Sequence, residues 1–108
     1  MYEIKALIRP ERVSDVVQGL HELRAMPGIT MSTVHGFGRR VAEGQDGPFG
    51  ETDMAKLGTV VPETLVDQVV DIITARGHTG RAGDGKVFVI PVARAVRIRS
   101  GESGEGVL

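Results

Sequence analysis

Apolar and polar side chains alternate over residues 2–8, with Tyr2, Ile4, Ala6 and Ile8 on one side and Glu3, Lys5 and Leu7 on the other. That period predicts a strand with one face more buried than the other. From Pro10 the period changes. Val13, Val16, Val17, Leu20 and Leu23 recur at three-and-four spacing while Glu11, Arg12, Asp15, Gln18 and Glu22 point outward, which predicts a helix ended by Pro27-Gly28. Residues 29–37 are rich in β-branched side chains and read as a second strand. The pattern then lapses between residues 38 and 55, where Gly44, Gly47, Pro48 and Gly50 alternate with scattered acids, and a long functional loop is expected. A short strand at 56–61 runs into Pro62 and a second helix, with Leu65, Val66, Val69, Val70, Ile72 and Ile73 inward and Gly77 at its end. A glycine-rich basic loop at 78–86 precedes a strand at 87–92 that is apolar on both faces. An extended piece at 95–99 and a flexible Gly/Ser/Glu tail complete the chain.

The order is strand–helix–strand twice over, a split βαβ unit repeated, so one α+β domain of ferredoxin-like βαββαβ topology spans 1–108. Both helices should cover one face of an antiparallel sheet. The other face stays open, and residues 87–92 supply it with apolar side chains, so a homo-oligomer is expected.

Composition narrows the function. Thirteen Lys plus Arg against fourteen Asp plus Glu leave a formal net charge of -1. So balanced a field does not hold a polyanion, and aromatics at 4% with no Trp offer little for base stacking, so nucleic acid is not an expected partner. The absence of Cys removes disulfides, thiolate metal sites and cysteine nucleophiles. No apolar run approaches the length of a membrane span, and no signal pattern opens the chain, so a soluble cytoplasmic protein is expected.

Gly80–Lys86 satisfies G-x-x-x-x-G-K, yet Val87 stands where a P-loop has its Ser or Thr, and the loop leads into a strand rather than a helix. What survives is the physics of an anion nest, with closely spaced glycines beside Arg81 and Lys86; a plain charged turn is the even alternative. Arg97 and Arg99, two apart on an extended segment, would present parallel guanidinium forks to a phosphate or carboxylate, or simply keep an edge strand charged. Gly36-Phe37-Gly38-Arg39-Arg40 lets a backbone or ligand come close at the mouth of the long loop. His21, His35 and His78 share no metal-ligand spacing and read as solvated residues. Glu43, Asp46, Glu51 and Asp53 could bind a cation jointly once ordered, but such a run more often only keeps a loop in water. No metal site and no catalytic residue is expected.

Taken together, GFGRR at 36–40, TGRAGDGKVFV at 79–89 and VARAVRIRSGE at 92–102 closely resemble the PII nitrogen-regulatory signal-transduction family, and IKALIRPERVSDVV and VVPETLVDQVVDII fit it as well. The resemblance implies a compact homotrimer with adenine nucleotide (ATP, ADP or AMP) held in clefts between subunits. By that resemblance Gly83, Asp84, Gly85 and Lys86 fall in the phosphate-wrapping B-loop (about 79–86). Arg97 and Arg99, in the C-terminal segment (about 95–108), reach the phosphates from the adjoining subunit. Gly36, Gly38 and Arg39 form the opposite wall, and Thr30 and Val60 lie where the adenine is held. Residues 38–55 correspond to the partner-binding T-loop, which is about five residues shorter than in nitrogen-sensing members and has no tyrosine to uridylylate.

Arg40 replaces the family's magnesium- and 2-oxoglutarate-holding glutamine, and Gly58 replaces an acid. Magnesium-bridged 2-oxoglutarate sensing is therefore not expected, and Arg40 is a candidate for a second anion such as bicarbonate. The reading is a non-enzymatic regulator of an unidentified protein target, a membrane transporter or metabolic enzyme being the expected kind. A regulator linked to metal efflux or nitrogen metabolism is the first alternative. A small phosphate-ester or acyl-phosphate hydrolase of the same fold is the second, although an acylphosphatase needs an asparagine and the chain has none.

Overall fold

The computed structural model describes residues 1–37 and 51–108. Four strands and two helices follow in the order β1 (Tyr2–Ile8), α1 (Val13–His21), β2 (Thr30–Phe37), β3 (Glu51–Val61), α2 (Val66–Gly77) and β4 (Lys86–Pro91). The sheet order is β2-β3-β1-β4, and every neighbouring pair is antiparallel, which is the ferredoxin-like arrangement expected. Each helix is entered through a short 3-10 turn, Pro10–Arg12 and Glu63–Leu65, where the fixed φ of Pro10 at the first position suits a helical start.

β1 lies between β3 and β4, and its alternation decides which face is covered. Ile4, Ala6 and Ile8 are buried beside Thr59, Leu57 and Ala55 of β3. Against them pack Val16 and Leu20 of α1 and Val69 and Ile73 of α2. The two helices approach closely at Gly19, where a Cβ would stand 2.8 Å from both Arg76 and Ile72 side-chain atoms. Arg12 adds a tie by donating from Nε to the Arg76 carbonyl at 2.8 Å, satisfying a carbonyl in the last turn of α2.

The opposite face carries Glu3, Lys5 and Leu7 of β1 with Lys86, Phe88 and Ile90 of β4. No helix among the described residues covers it, and Phe88 and Ile90 remain exposed, as does Val89 on the other side of this edge strand. The Lys5 ammonium sits 5.1 Å from the centre of the Phe88 ring, a cation–π contact that shields part of that apolar surface.

Three expectations are corrected. The first helix stops at His21 rather than near Pro27, because the Glu22 N–H bonds back to the Gly19 and Leu20 carbonyls and the chain continues as turns. β3 starts at Glu51, so residues 51–55 belong to a strand and not to the long loop. They pair with β2 from Phe37↔Glu51 to Thr33↔Ala55. The tail is packed, not free: it forms a 3-10 turn at Glu105–Val107, and Glu105 lies 3.4 Å from the N-terminal ammonium. Among the described residues no helix is long and apolar enough to cross a membrane.

Leu20 is 1% exposed at the centre of the helix–sheet contact. Leu20→Ala should lower unfolding free energy by about 2–4 kcal/mol through lost transfer energy and a residual cavity; a urea titration measures it.

Candidate functional site

The glycine-rich loop between α2 and β4 is built around one carboxylate. Asp84 accepts from the Thr79 N–H at 2.8 Å, the Gly80 N–H at 2.9 Å and the Thr79 hydroxyl. Arg9, immediately after β1, donates to the same carboxylate from Nε at 2.9 Å and to the Ala82 carbonyl from its other fork at 2.7 Å. The Thr79 hydroxyl in turn accepts from the Arg81 N–H at 3.2 Å. These donors hold the Asp84 carboxyl far below the usual carboxylate range, the Thr79 hydroxyl contributing most and Arg9 next. Asp84 thus fixes the loop's shape, with its carboxylate fully engaged by the chain itself.

Gly80, Gly83 and Gly85 have positive φ, which lets the loop turn back sharply. Gly85 is the tightest position. A Cβ there would lie 1.7 Å from the Leu7 carbonyl oxygen and 3.2 Å from Cε of Met54. Lys86 follows at the start of β4, exposed and with no ion-pair partner among the described residues. A cleft of about 420 Å³ opens beneath, lined among others by Leu7, Val70, Thr74, His78, Gly85 and Lys86.

Gly36 comes to the same end of the sheet. Met54 links the two places, since a Cβ on Gly36 would stand 3.8 Å from its Cγ and one on Gly85 3.2 Å from its Cε. Thr30 and Val60 are brought together elsewhere. They line a second cleft of about 280 Å³ with Glu3, Gly28, Gly58 and Leu108. The Thr30 hydroxyl donates to the Gly58 carbonyl at 3.2 Å, and a Cβ on Gly58 would meet that hydroxyl at 3.1 Å, so the glycine makes the bond possible. Thr30 and Lys86 stand on the two edge strands, about 15 Å apart by strand spacing, so one chain does not join the two clefts.

The paired arginines are placed differently from the expectation. Residues 95–99 are not a strand. Val96 and Ser103 form an isolated bridge, the Arg97 N–H bonds to the Glu102 carbonyl and the Gly101 N–H to the Arg97 carbonyl, both at 2.8 Å. Arg97 enters this turn and Arg99 lies within it, so a strand's alternation no longer sets their directions. Both are unpaired among the described residues, and Ile98 between them is fully exposed. Gly38, Arg39 and Arg40 lie outside the described residues, as does most of the expected 38–55 loop.

Two groupings escaped the sequence reading. Arg9 was not singled out, although an arginine following a strand and preceding Pro10 sits where a loop returning to β4 must pass. His35, Glu51 and Asp53 also converge: the His35 Nδ1 lies 2.7 Å from Asp53 and 3.2 Å from Glu51. Recognising β3 from residue 51 would have placed both acids on one face opposite His35. Phe37 and Phe88 fall on opposite faces of the sheet and form no common platform for base stacking.

Comparison with known proteins now decides the family. A family model described as "Nitrogen regulatory protein P-II" matches residues 1–102. The chain belongs to the P-II family. It is 38% identical over 109 residues to the nitrogen regulatory protein P-II of Azospirillum brasilense, covering 96% of each chain. Against nitrogen regulatory protein P-II 1 of Escherichia coli K12 it is 37% identical over 113 residues, with both chains covered completely. The crystal structure of Arabidopsis thaliana PII bound to citrate superposes with a TM-score of 0.81 at 34% identity, covering 97% of this chain and 89% of that one. As a P-II protein the chain is a signalling regulator and not an enzyme.

Gly85→Ala should destabilise this P-II chain by about 2–4 kcal/mol in urea unfolding, because positive φ and the Leu7 carbonyl both exclude a side chain. Asp84→Asn should lower stability at neutral pH. A carboxyl depressed in the folded state contributes fully above the ordinary carboxylate range and loses that contribution as pH falls through its folded value. The gap between wild type and Asp84→Asn in urea midpoint should therefore stay constant from neutral pH to mildly acidic pH and shrink only in stronger acid.

Proposed function

We propose that this P-II protein works as a homotrimer that binds ATP, ADP or AMP between subunits and passes occupancy to a protein partner through the segment that includes residues 38–50. The observation that carries this reading is the division of the candidate residues between two separated clefts. Gly85 and Lys86 line one, and Thr30 and Val60 line the other. Each is half of what a nucleotide needs: a cation beside a glycine turn for the phosphates, and a small-residue wall with a hydroxyl for a flat base. A neighbouring subunit laid against the uncovered sheet face would bring one chain's phosphate loop to another chain's base wall.

Arg97 and Arg99 support the same assembly. They occupy a protruding turn whose central Ile98 is wholly in solvent, and neither guanidinium meets a carboxylate among the described residues. In a trimer that turn would reach the phosphates of the adjoining subunit. Lys86, Arg97 and Arg99 together would neutralise two or three phosphate charges, while Asp84, already saturated by Arg9 and Thr79, would serve by shaping the loop. Gly36, Gly38 and Arg39 would form the facing wall.

The second effector in this reading is a small anion, bicarbonate being the candidate, rather than magnesium-bridged 2-oxoglutarate. Arg40 supplies a cation where the family has a metal-holding glutamine, and Gly58 stands where those members carry an acid. The target is a membrane transporter or a metabolic enzyme. Coupling of about 1–3 kcal/mol between nucleotide and target would change affinity roughly 5- to 150-fold.

Lys86→Ala and Arg99→Ala should each weaken ATP or ADP binding about 10- to 100-fold, the loss of a charged hydrogen bond, with the trimer unchanged by sedimentation. Unaltered affinity in both, or a monomeric wild type, would overturn the assignment. Isothermal titration of nucleotide with and without bicarbonate separately tests the second effector: a changed affinity is expected, and identical affinities would remove it.

A further inference from the structure

We infer that His35, Glu51 and Asp53 form a binding site for a first-row divalent transition-metal ion, with Zn²⁺ as its representative, at the outer end of the β2–β3 ladder. His35 and Asp53 are direct cross-strand partners, and Glu51 is two residues along on the same face, so the register fixes all three on one side of two paired strands. One ligand atom from each lies within 4.8 Å of the others, and the two carboxylates converge on a single imidazole nitrogen at 2.7 and 3.2 Å.

Metal bonds of 2.0–2.2 Å in a tetrahedral shell put donor atoms about 3.4 Å apart. Separations of 2.7 and 3.2 Å at the imidazole nitrogen, with all three ligand atoms within 4.8 Å of one another, lie near that value, so small side-chain rotations complete the shell without moving the strands. Charge favours the same outcome. Two carboxylates share one histidine, and no Lys or Arg pairs with either among the described residues, so a divalent cation would neutralise them where one imidazolium does not. The nitrogen donor selects against Mg²⁺ and Ca²⁺, which take oxygen shells. Ligation uses the Nδ1 lone pair, leaving the ring proton on Nε2, and a water in the exposed site fills the fourth position.

A bound ion would clamp β2 to β3 just where both strands enter the 38–50 segment, independently of any nucleotide. The test is therefore made on the full-length nucleotide-free protein, by calorimetric titration with Zn²⁺. Saturable uptake of one Zn²⁺ per chain is expected, weakened at least about tenfold in His35→Gln and in Asp53→Asn, and not displaced by excess Mg²⁺. Both variants should melt like the wild type without metal. If either fails to fold, the ¹⁵N shift of His35 Nδ1 on adding Zn²⁺ to the wild type gives the answer, a large change being expected. No saturable uptake up to about 1 mM Zn²⁺, equal affinity in folded variants, or an unmoved Nδ1 resonance would overturn the site.

Discussion

The ion pair between Arg9 and Asp84 ties the outgoing end of β1 to the loop that returns to β4, and the geometry of the candidate phosphate site depends on it. Without that tie, a segment with three positive-φ glycines would sample many shapes, since glycine loses more conformational freedom on ordering than any other residue. With it, Thr79, Gly80 and Ala82 are each fixed by at least one hydrogen bond. Lys86 then emerges at a defined point beside Leu7. The carboxylate is internal to the machinery, and the free cations are left to face solvent.

The same strand divides the molecule into two unlike faces. The even-numbered side of β1 meets α1 and α2 and supplies the core, while the odd-numbered side carries Lys5 against Phe88 and remains uncovered. A sheet covered on one side by two helices is stable as a chain, yet it presents apolar residues that a second chain can bury. Cohesion and the proposed assembly would thus draw on alternate residues of the same strands. The clefts at Thr30 and at Lys86 sit toward opposite edges of that sheet and stay apart within one chain, and the proposed assembly would join them between chains.

Much of this was legible in the sequence, and the exceptions have a common cause. Val13, Val16, Val17 and Leu20 announced α1 because burial imposes its period on the chain, and the two-faced apolar run at 87–92 announced β4. Residues 51–54 gave no such signal. Those residues extend a β ladder beyond the helices, where solvent reaches the side chains and polar residues are tolerated, so hydrogen-bond pairing alone makes the strand. The alternation of Ala95–Arg99 misled for the opposite reason. Apolar and basic residues alternate there, yet Gly101 and the Arg97–Glu102 bond fold the segment into a turn. The Asp84 clasp and the His35 cluster join residues distant in sequence, and pattern within a segment carries no trace of them.

Mixing subunits tests the shared-cleft account most directly. If Lys86 comes from one chain and Arg99 from its neighbour, a mixed trimer of Lys86→Ala and Arg99→Ala chains must contain one cleft with both residues intact. Subunits co-refolded from the two weak-binding variants should recover wild-type nucleotide affinity at one cleft per mixed trimer. If verified mixed trimers bind no better than either variant alone, Lys86 and Arg99 do not meet across a subunit boundary, and the account is wrong.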